Sequence, residues 1–429
     1  MDRMIGYTQL MDSIERGAYD AVLESLYTPE RVPETKTRIK SLAEQFRSCF
    51  TGESFSLFSA PGRTEIGGNH TDHQHGRVLC GSLDLDILAF AAPNETEIIR
   101  IHSKGYPDVS VNLNELQPKQ EEINTTSALV RGVAAAIRQR GYEVKGFDAC
   151  ITSDVLPGSG MSSSAAFEVL IGTIINQFFC GGSLEPVEIA KIGQHAENIY
   201  FGKPCGLMDQ MASAIGGVVA IDFTDVDAPF VRKVDVDFSE FRHALCIIDT
   251  GSCHADLTDD YADITREMGA AAAFFGKNVL REVDEETFRV SIPALRECCG
   301  DRAVLRALHF YEDDRRAAEE ASALEQGNFG RFLELVRASG QSSALYLQNN
   351  WSPSDPSHQA IPLTLAIGER LLAGEGAIRV HGGGFAGTVQ AFVPVKKVEQ
   401  FKAGMDSLLG AGKCRVLQIR SVGGCTVID

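Results

Sequence analysis

Residues 158–166 read Gly-Ser-Gly-Met-Ser-Ser-Ser-Ala-Ala and run directly into an apolar helical pattern. Glycines let the backbone turn tightly and bring its N–H groups close to an anion, and the following helix adds its positive N-terminal end. Serine hydroxyls can bind phosphate oxygens or a metal ion held by them. A helix cap needs only one serine, whereas this loop has three after two glycines. The segment therefore predicts a loop that cradles a triphosphate.

This loop differs from the common P-loop, because the pattern G-x-x-x-x-G-K-[S/T] is absent. Gly412-Lys413 is followed by Cys414, and Ser407 stands where the first glycine should be. The formal net charge is -18, which argues against broad electrostatic binding of nucleic acid or an anionic membrane. Phosphate would therefore have to be bound by local donors.

The chain lacks the N-terminal features of exported or membrane-anchored proteins. Residues 1–19 contain several charged side chains and no long apolar run, which is unlike a signal peptide or a membrane anchor. The 11 cysteines are scattered between Cys49 and Cys425 without C-x-x-C spacing. Such a set indicates free thiols in a reducing compartment, so we expect a cytoplasmic protein.

The order of helical and strand patterns indicates an α+β chain with more than one domain. Residues 1–52 predict a helical extension, in which Ile39, Leu42 and Phe46 recur at helical spacing. Residues 53–230 mix strand runs with helices and form the second predicted domain. Residues 231–429 form the third, with a strand at 244–248, a helical stretch over 258–350 broken near 298–300, and strands again from 377.

Residues 60–76 form a polar, turn-rich segment directly after a strand run, which suits an active-site loop. His70, Asp72, His73 and His75 could also supply zinc or iron ligands. Zinc sites usually draw ligands from two separate segments, however, and no second His/Cys cluster stands out. The active-site loop is therefore the preferred interpretation.

Two further segments carry candidate chemistry. Asp209 lies among apolar residues, so its carboxylate needs a partner, and a cation beside it would make it a plausible base. Gly382, Gly384 and Gly387 satisfy G-x-G-x-x-G, but a strand pattern follows where a dinucleotide site needs a helix. We therefore predict a glycine turn that lets one domain approach the ligand of the other.

Taken together, these motifs resemble the galactokinase branch of the GHMP kinases. The resemblance covers roughly residues 58–394 and implies a ribosomal-S5-domain-2-like N-terminal domain, a ferredoxin-like C-terminal domain and a site between them. The pattern G-R-x-N-x-I-G-E-H-T-D-Y is matched by Gly62, Arg63, Gly68 and 70–72, and the pattern G-x-G-L-S-S-S-A-A by Gly158, Gly160 and 162–166. Residues 205–210 match C-G-I-M-D-Q with leucine at 207. Residues 379–387 match R-x-T-G-G-G-F-G-G, with His381 and Ala386 as departures.

The resemblance implies transfer of phosphate from ATP to the C1 hydroxyl of a galactose-like sugar. Asp209 matches the catalytic aspartate and Arg63 the arginine that steadies it. Glu197, 12 positions earlier, matches the Mg²⁺-binding glutamate, with Ser164 or Ser163 as its hydroxyl partner. The remaining implied sites are the sugar positions Asn69, His70, Asp72, Gly206 and Tyr261, and the nucleotide positions Gly158, Ser159, Gly160, Ser162, Ser163, Ser164, Gly383 and Gly384.

Departures from the family pattern bear on the sugar. Asn69 replaces a glutamate that binds the C6 hydroxyl, and Glu65 replaces an asparagine. An amide can donate a hydrogen bond to a C6 carboxylate, so galacturonate is an alternative substrate. We favour galactose because the other sugar positions match. A non-catalytic sugar sensor is a further alternative, which the intact Arg63, Glu197 and Asp209 disfavour. We expect a monomer or weak homo-oligomer whose partners are the sugar and ATP, with no nucleic acid or membrane.

Overall fold

The computed structural model describes residues 4–155, 160–238, 240–251 and 257–429. Within those residues the strands form two separate sheets, and the helices cover their faces. The strands are β1 Ile5–Gly6, β2 Ser54–Gly67, β3 Arg77–Pro93, β4 Ile98–Ser103, β5 Val109–Asn112, β6 Phe147–Ser153, β7 Val218–Asp222, β8 Phe230–Val234, β9 His243–Asp249, β10 Ala377–His381, β11 Thr388–Pro394, β12 Cys414–Leu417 and β13 Cys425–Ile428.

The helices include two π-helical turns that continue α-helices, at Ala196–Phe201 and Ser343–Leu347. The α-helices are α1 Tyr7–Glu15, α2 Asp20–Leu26, α3 Val32–Cys49, α4 Thr126–Gln139, α5 Ser163–Phe179, α6 Pro186–His195, α7 Met208–Ile215, α8 Thr258–Ala273, α9 Glu285–Val290, α10 Ile292–Cys299, α11 Asp301–Glu325, α12 Phe329–Ser342, α13 Ala360–Leu372 and α14 Val398–Leu409.

The first sheet is built around the two long strands β2 and β3. The path β1-β2-β3-β6-β4-β5 runs through it, while β13 also pairs with β2, and β7 pairs with both β3 and β8. The pair β4–β6 is parallel, and the other pairs are antiparallel. Side chains alternate across β2, so Phe55 and Leu57 face the N-terminal helices while Phe58 and Ala60 face the main core. Both faces of this sheet are therefore covered.

The second sheet is antiparallel in the order β10-β11-β9-β12. Its strands follow one another as strand, helices, two strands, helix and strand, which is the ferredoxin-like pattern that the resemblance implies. The helices α13 and α14 cover one face, where Ile361, Phe401 and Met405 pack on Ile248 and Val389. The α+β, two-sheet architecture is confirmed.

The helical stretch predicted over 258–350 is interrupted more often than expected. Its break near 298–300 is confirmed, since α10 ends and α11 begins at Gly300. Further interruptions lie between α8 and α9 and between α11 and α12.

Strand pairing crosses the predicted domain limits. The division at residue 230/231 cuts through β8, which pairs with β7 of the first sheet along its whole length. Near the other end of the chain, β13 lies within the predicted domain 231–429 but pairs with β2 of the first sheet. A division by sequence position therefore does not follow the sheets.

A buried ionic cluster holds the N-terminal helices on the first sheet. Asp86 in β3 is fully buried and accepts hydrogen bonds from Arg38 Nη1 at 2.7 Å, from Arg420 Nη1 at 3.2 Å and from Tyr27. Burial alone would raise the pKa of Asp86, but the two guanidinium groups hold it below its ordinary value. Arg38 also donates to Asp154, 2.9 Å away, directly after β6. The N-terminal extension is therefore bonded to both β3 and the end of β6.

Two observations concern helices and cysteines in the part of the chain that the structure describes. None of the helices there combines the length and the apolar character that crossing a bilayer requires. The ten cysteines described there have free thiols, as the scattered spacing predicts.

Candidate active site

The centre of the site is an ion pair between β2 and the first turn of α7. Arg63 donates from Nε and Nη2 to the two carboxylate oxygens of Asp209, at 2.6 and 2.7 Å. This bidentate geometry is the strong form of an arginine–carboxylate pair. The Arg63 side chain is 9% exposed and that of Asp209 is 29% exposed, so the aspartate is the more accessible member of the pair. The sequence predicted that Asp209 needs a cation, and the structure brings the two together.

The ionisation of Asp209 follows from its neighbours. Burial raises the pKa of this carboxyl, but Arg63 and the hydroxyl of Ser162 outweigh burial and hold the pKa below its ordinary value. Burial likewise opposes the charge on Arg63, yet Asp209 keeps the pKa of the guanidinium raised. The pair is therefore ionised at neutral pH, and its carboxylate can accept a hydrogen bond from a substrate hydroxyl.

The predicted phosphate loop adjoins this pair, although Gly158 and Ser159 lie outside the described residues. Arg63 Nη1 donates to the carbonyl oxygen of Gly160 at 2.5 Å. A Cβ on Gly160 would lie 2.2 Å from Thr388 Oγ1, so glycine lets the loop approach β11 of the second sheet. The site therefore lies where the two sheets meet.

Ser162 contacts the central carboxylate. It precedes α5 with φ +55°, and its hydroxyl donates to Asp209 Oδ2 at 2.6 Å instead of capping the helix. The hydroxyl thus binds the central carboxylate, and its contact to the nucleotide stays a prediction. Ser163 and Ser164 occupy the first turn of α5, as expected for residues at the positive end of a helix.

Replacing Ser162 should change the pH dependence of the reaction. The variant Ser162→Ala removes a hydrogen bond to a charged group, which is worth about 1.5–3 kcal/mol, so the pKa of Asp209 should rise. We expect the ionised carboxylate of Asp209 to be the active form, so the acidic limb of the kcat/KM profile should move to higher pH. A pH–rate series on wild type and variant measures this shift.

Ser162→Gly is the matched control, because glycine also lacks the hydroxyl but accommodates the positive φ. Both variants should shift the acidic limb equally, with the glycine variant the more stable to heat. An unchanged limb in both variants would show that the hydroxyl does not tune Asp209.

Glu197 lies in the π-helical turn that continues α6, and its side chain is only 3% exposed. Its Oε1 accepts hydrogen bonds from Ser164 Oγ at 3.1 Å and from Lys203 Nζ at 3.3 Å, and its Oε2 accepts from Gln210 Nε2 at 2.9 Å. Such local π turns are frequent at functional sites. A carboxylate oxygen and a hydroxyl beside the N-terminus of α5 are hard oxygen donors that fit Mg²⁺ accompanied by phosphate.

Three of the predicted sugar positions converge on one side of the pair. A Cβ on Gly206 would lie 1.9 Å from Asp72 Oδ2, so only glycine lets this loop lie against that carboxylate. The ring of His70 donates through Nε2 to the carbonyl oxygen of Gly383 at 2.9 Å. Burial, with a smaller contribution from His73, lowers the pKa of His70 to about 3. The neutral ring therefore keeps a lone pair on Nδ1 that can accept a hydrogen bond from a hydroxyl.

The glycine turn between β10 and β11 is bound mainly to these sugar positions. Tyr261 OH donates to the carbonyl oxygen of Gly384 at 2.8 Å, and a Cβ on Gly383 would lie 2.4 Å from the Tyr261 ring. The carbonyl of Gly383 also accepts from Asn349 at 3.1 Å. The prediction that this turn joins the two halves of the site is consistent with these contacts, while a role of Gly383 and Gly384 toward phosphate stays a prediction.

The arrangement of Asn69 corrects its sequence interpretation. Its Nδ2 donates to Glu65 at 3.0 Å and to the carbonyl of Gly382 at 2.7 Å, and its Oδ1 accepts from Asn349 at 2.8 Å and Ser343 at 3.2 Å. These bonds use both donors and both lone pairs of a side chain that is fully buried. The amide is therefore not available to a C6 substituent in this arrangement.

Glu65 and Arg379 form the buried ion pair behind Asn69. Arg379 Nη2 donates to Glu65 Oε1 at 2.5 Å, and Nη1 donates to the carbonyl of Ile66 at 2.8 Å. Burial raises the pKa of Glu65 to about 7, although Arg379 and Arg63 oppose this effect. The family pattern has an asparagine at position 65 and a glutamate at position 69. In this chain the two residue types are exchanged, and the side chains of Glu65 and Asn69 contact each other.

Sequence reasoning missed several of these contacts. Ser343 and Asn349 carry no motif and lie more than 270 positions from Asn69, so no local signal could have identified them. Lys203 is a single lysine between Gly202 and Pro204, which also gave no signal. The second π-helical turn places Ser343 and Asn349 against the first motif.

The histidine-rich segment does not assemble into a metal centre. The rings of His70 and His73 stack with centroids 5.9 Å apart, and His70 Nε2 is bonded to a carbonyl. Within residues 4–155, 160–238, 240–251 and 257–429, no three His, Cys, Asp or Glu side chains are grouped to hold a metal ion. The active-site loop remains the better interpretation of this segment.

Known proteins resemble the chain in sequence and in fold. The family model described as the GHMP kinases N terminal domain matches residues 128–217, and that described as the galactokinase galactose-binding signature matches residues 44–93. A galactokinase of Streptomyces coelicolor is 30% identical over 380 residues, covering 87% of this chain and 93% of the relative. A galactokinase of Mannheimia succiniciproducens is 29% identical over 85% of this chain and 92% of the relative.

Solved structures agree with the sequence relatives. Lactococcus lactis galactokinase complexed with galactose is 25% identical, with a TM-score of 0.76 over 90% of this chain and 99% of that chain. The mevalonate kinase of Methanococcus jannaschii is 17% identical, with a TM-score of 0.61 over 85% of this chain and 98% of that chain, and shows the shared fold. The two-sheet fold, the ordered motifs and these relatives agree, and the chain belongs to the galactokinase family of the GHMP kinases, which makes it a sugar kinase.

Proposed function

We propose that the protein transfers the γ-phosphate of ATP to the C1 hydroxyl of galactose. The observation that carries this proposal is the bidentate Arg63–Asp209 pair, which also contacts Gly160 and Ser162 of the glycine-serine segment. A nearby carboxylate and cation beside a helix N-terminus are the groups that phosphoryl transfer needs, because the reaction depends on positioning and charge neutralisation.

Each side of the pair has a separate task. Asp209 accepts the hydrogen bond of the attacking hydroxyl and turns its oxygen toward the phosphate. Its lowered pKa makes it a weak base, so it orients the hydroxyl and receives the proton only as the new bond forms. Arg63 fixes this carboxylate and offsets the negative charge that develops on the transferred group.

Mg²⁺ would be held by Glu197 and Ser164, together with phosphate oxygens. When bound, the ion would neutralise phosphate charge and help align the group that is transferred. Gln210 Nε2 bridges Oε2 of Glu197 and Oε2 of Glu168, at 2.9 and 3.0 Å, which fixes the orientation of the metal-binding carboxylate.

Galactose is the first choice of sugar for two reasons. The relatives that match most of the chain are galactokinases, and the argument for galacturonate depended on an Asn69 amide that is bonded within the protein. ATP as the donor, which the GHMP kinase match supports, and a cytoplasmic location, which the free thiols support, belong to the same proposal. A monomeric or weakly oligomeric state is proposed with them.

A sugar panel tests the proposal. Purified protein is incubated with ATP and Mg²⁺ and, separately, with galactose, galacturonate, N-acetylgalactosamine or arabinose. We expect the highest kcat/KM with galactose, a phosphorus–carbon coupling that places phosphate on C1 by NMR, and loss of turnover when EDTA removes the metal. Turnover on galacturonate alone would replace the substrate, whereas galactose binding without any turnover would favour a sugar sensor.

A further inference from the structure

Lys203 lies beside the oxygen that the proposed function assigns to the metal. Its Nζ is 3.3 Å from Glu197 Oε1, the same oxygen that accepts from Ser164 Oγ. The backbone N–H groups of Gly202 and Lys203 both donate to the carbonyl of Glu197, at 3.0 and 3.2 Å. The backbone of Lys203 is therefore held in place relative to the Glu197 carboxylate that its side chain approaches.

The two ends of this ion pair differ in freedom. The Glu197 side chain is 3% exposed, whereas that of Lys203 is 62% exposed. Lys203 is thus an exposed and movable cation whose ammonium contacts a buried carboxylate of the site.

Charge indicates where this ammonium goes when substrates bind. A divalent ion on Glu197 Oε1 repels a second cation on the same oxygen. The ammonium can turn instead toward the first turn of α5, where the proposed triphosphate concentrates negative charge. Lysine suits that task because it presents three donors on a flexible stem.

We propose that Lys203 pairs with Glu197 in the nucleotide-free protein and binds the terminal phosphates of the nucleotide once nucleotide and metal are present. This inference rests on the proposed function, because it requires the nucleotide phosphates to lie at α5.

Calorimetric titration of the full-length protein tests it. AMP, ADP and the non-hydrolysable analogue AMPPNP are titrated with Mg²⁺ into wild type, Lys203→Met, Lys203→Arg and the control Lys191→Met. Lys191 contacts Glu188 at 3.5 Å and the carbonyl of Asp227 at 2.7 Å instead of Glu197, so it reports the loss of a lysine alone. We expect Lys203→Met to bind AMPPNP about ten- to a hundredfold more weakly, the size of a hydrogen bond to a charged group, with AMP binding unchanged.

Two further results would support the inference. Lys203→Arg should recover part of the AMPPNP affinity, and nucleotide-free Lys203→Met should bind Mn²⁺ more tightly than wild type because the ammonium no longer competes. If wild type gains affinity from AMP to AMPPNP and Lys203→Met gains equally, the inference is wrong while the proposed function stands. If wild type itself gains nothing, the nucleotide site of the proposed function is wrong, and this inference with it.

Discussion

The variant Asp209→Asn should lower kcat by about a hundred- to ten-thousandfold, the usual contribution of a positioned acid or base. The amide keeps the shape of the side chain but cannot accept the proton of the sugar hydroxyl, and it removes the charge that Arg63 Nε and Nη2 bind at 2.6 and 2.7 Å. Steady-state kinetics with galactose and ATP measure kcat, and equilibrium titration measures sugar and nucleotide binding. Binding of both ligands should change by only a few fold.

Asp301→Asn is a matched control. Asp301 also lies in the first turn of a helix and pairs with an arginine, Arg296 Nε, at 2.6 Å, but this pair is exposed on the surface. The control should leave kcat unchanged and barely alter stability. Turnover of Asp209→Asn equal to that of the control would remove Asp209 from the mechanism.

The variant Arg379→Met should cost about 3–5 kcal/mol of the free energy of unfolding, because it leaves a buried carboxylate without its cation. Arg379 is fully buried, and it binds both Glu65 and the carbonyl of Ile66 in the strand that carries Arg63. Chemical denaturation of wild type and variant at pH 8 gives the difference. Removing Arg331, whose pair with Glu319 is about half exposed, should cost less than about 1 kcal/mol.

The stability of Arg379→Met should depend on pH, and the pKa of Glu65 sets the direction of that dependence. The pKa of Glu65 is raised to about 7 in the folded protein, above its ordinary value of 4.5, and Arg379 is the main group opposing that rise. Without Arg379 the folded pKa rises further, so the folded variant binds a proton that the unfolded chain releases. The stability of the variant therefore increases as pH falls from 9 to 7. In the wild type, protonation of Glu65 adds to the stability only below about pH 7.

The stability cost of Arg379→Met should accordingly shrink between pH 9 and pH 7. In the double variant Glu65→Leu with Arg379→Met this pH dependence should become smaller, since one titrating carboxyl is gone, and what is left comes from the buried Glu320, whose raised pKa Arg379 also opposes. A cost that stays constant with pH in the single variant would mean that Glu65 is not the group that responds.

Local patterns predicted much of the fold correctly. The apolar spacing of residues 39–46 predicted α3, and the run at 244–248 predicted the centre of β9. These elements are predictable because the face that each one buries is encoded within its own residues. The positions of β8 and β13 in the first sheet were not predicted, since strand partners are chosen by contacts between distant parts of the chain.

For the site, the sequence by itself determined which residue types were present and in what order. It indicated the phosphate loop and the carboxylate that needs a cation, because backbone freedom at glycines and the cost of burying a charge are local properties. Only the tertiary structure decided which hydrogen-bond partners those side chains have. It turned the hydroxyl of Ser162 to Asp209, placed Lys203 on Glu197, and enclosed Asn69 among Glu65, Gly382 and the distant Ser343 and Asn349. A buried polar group must find its partners wherever the fold brings them, and those partners are not neighbours in sequence.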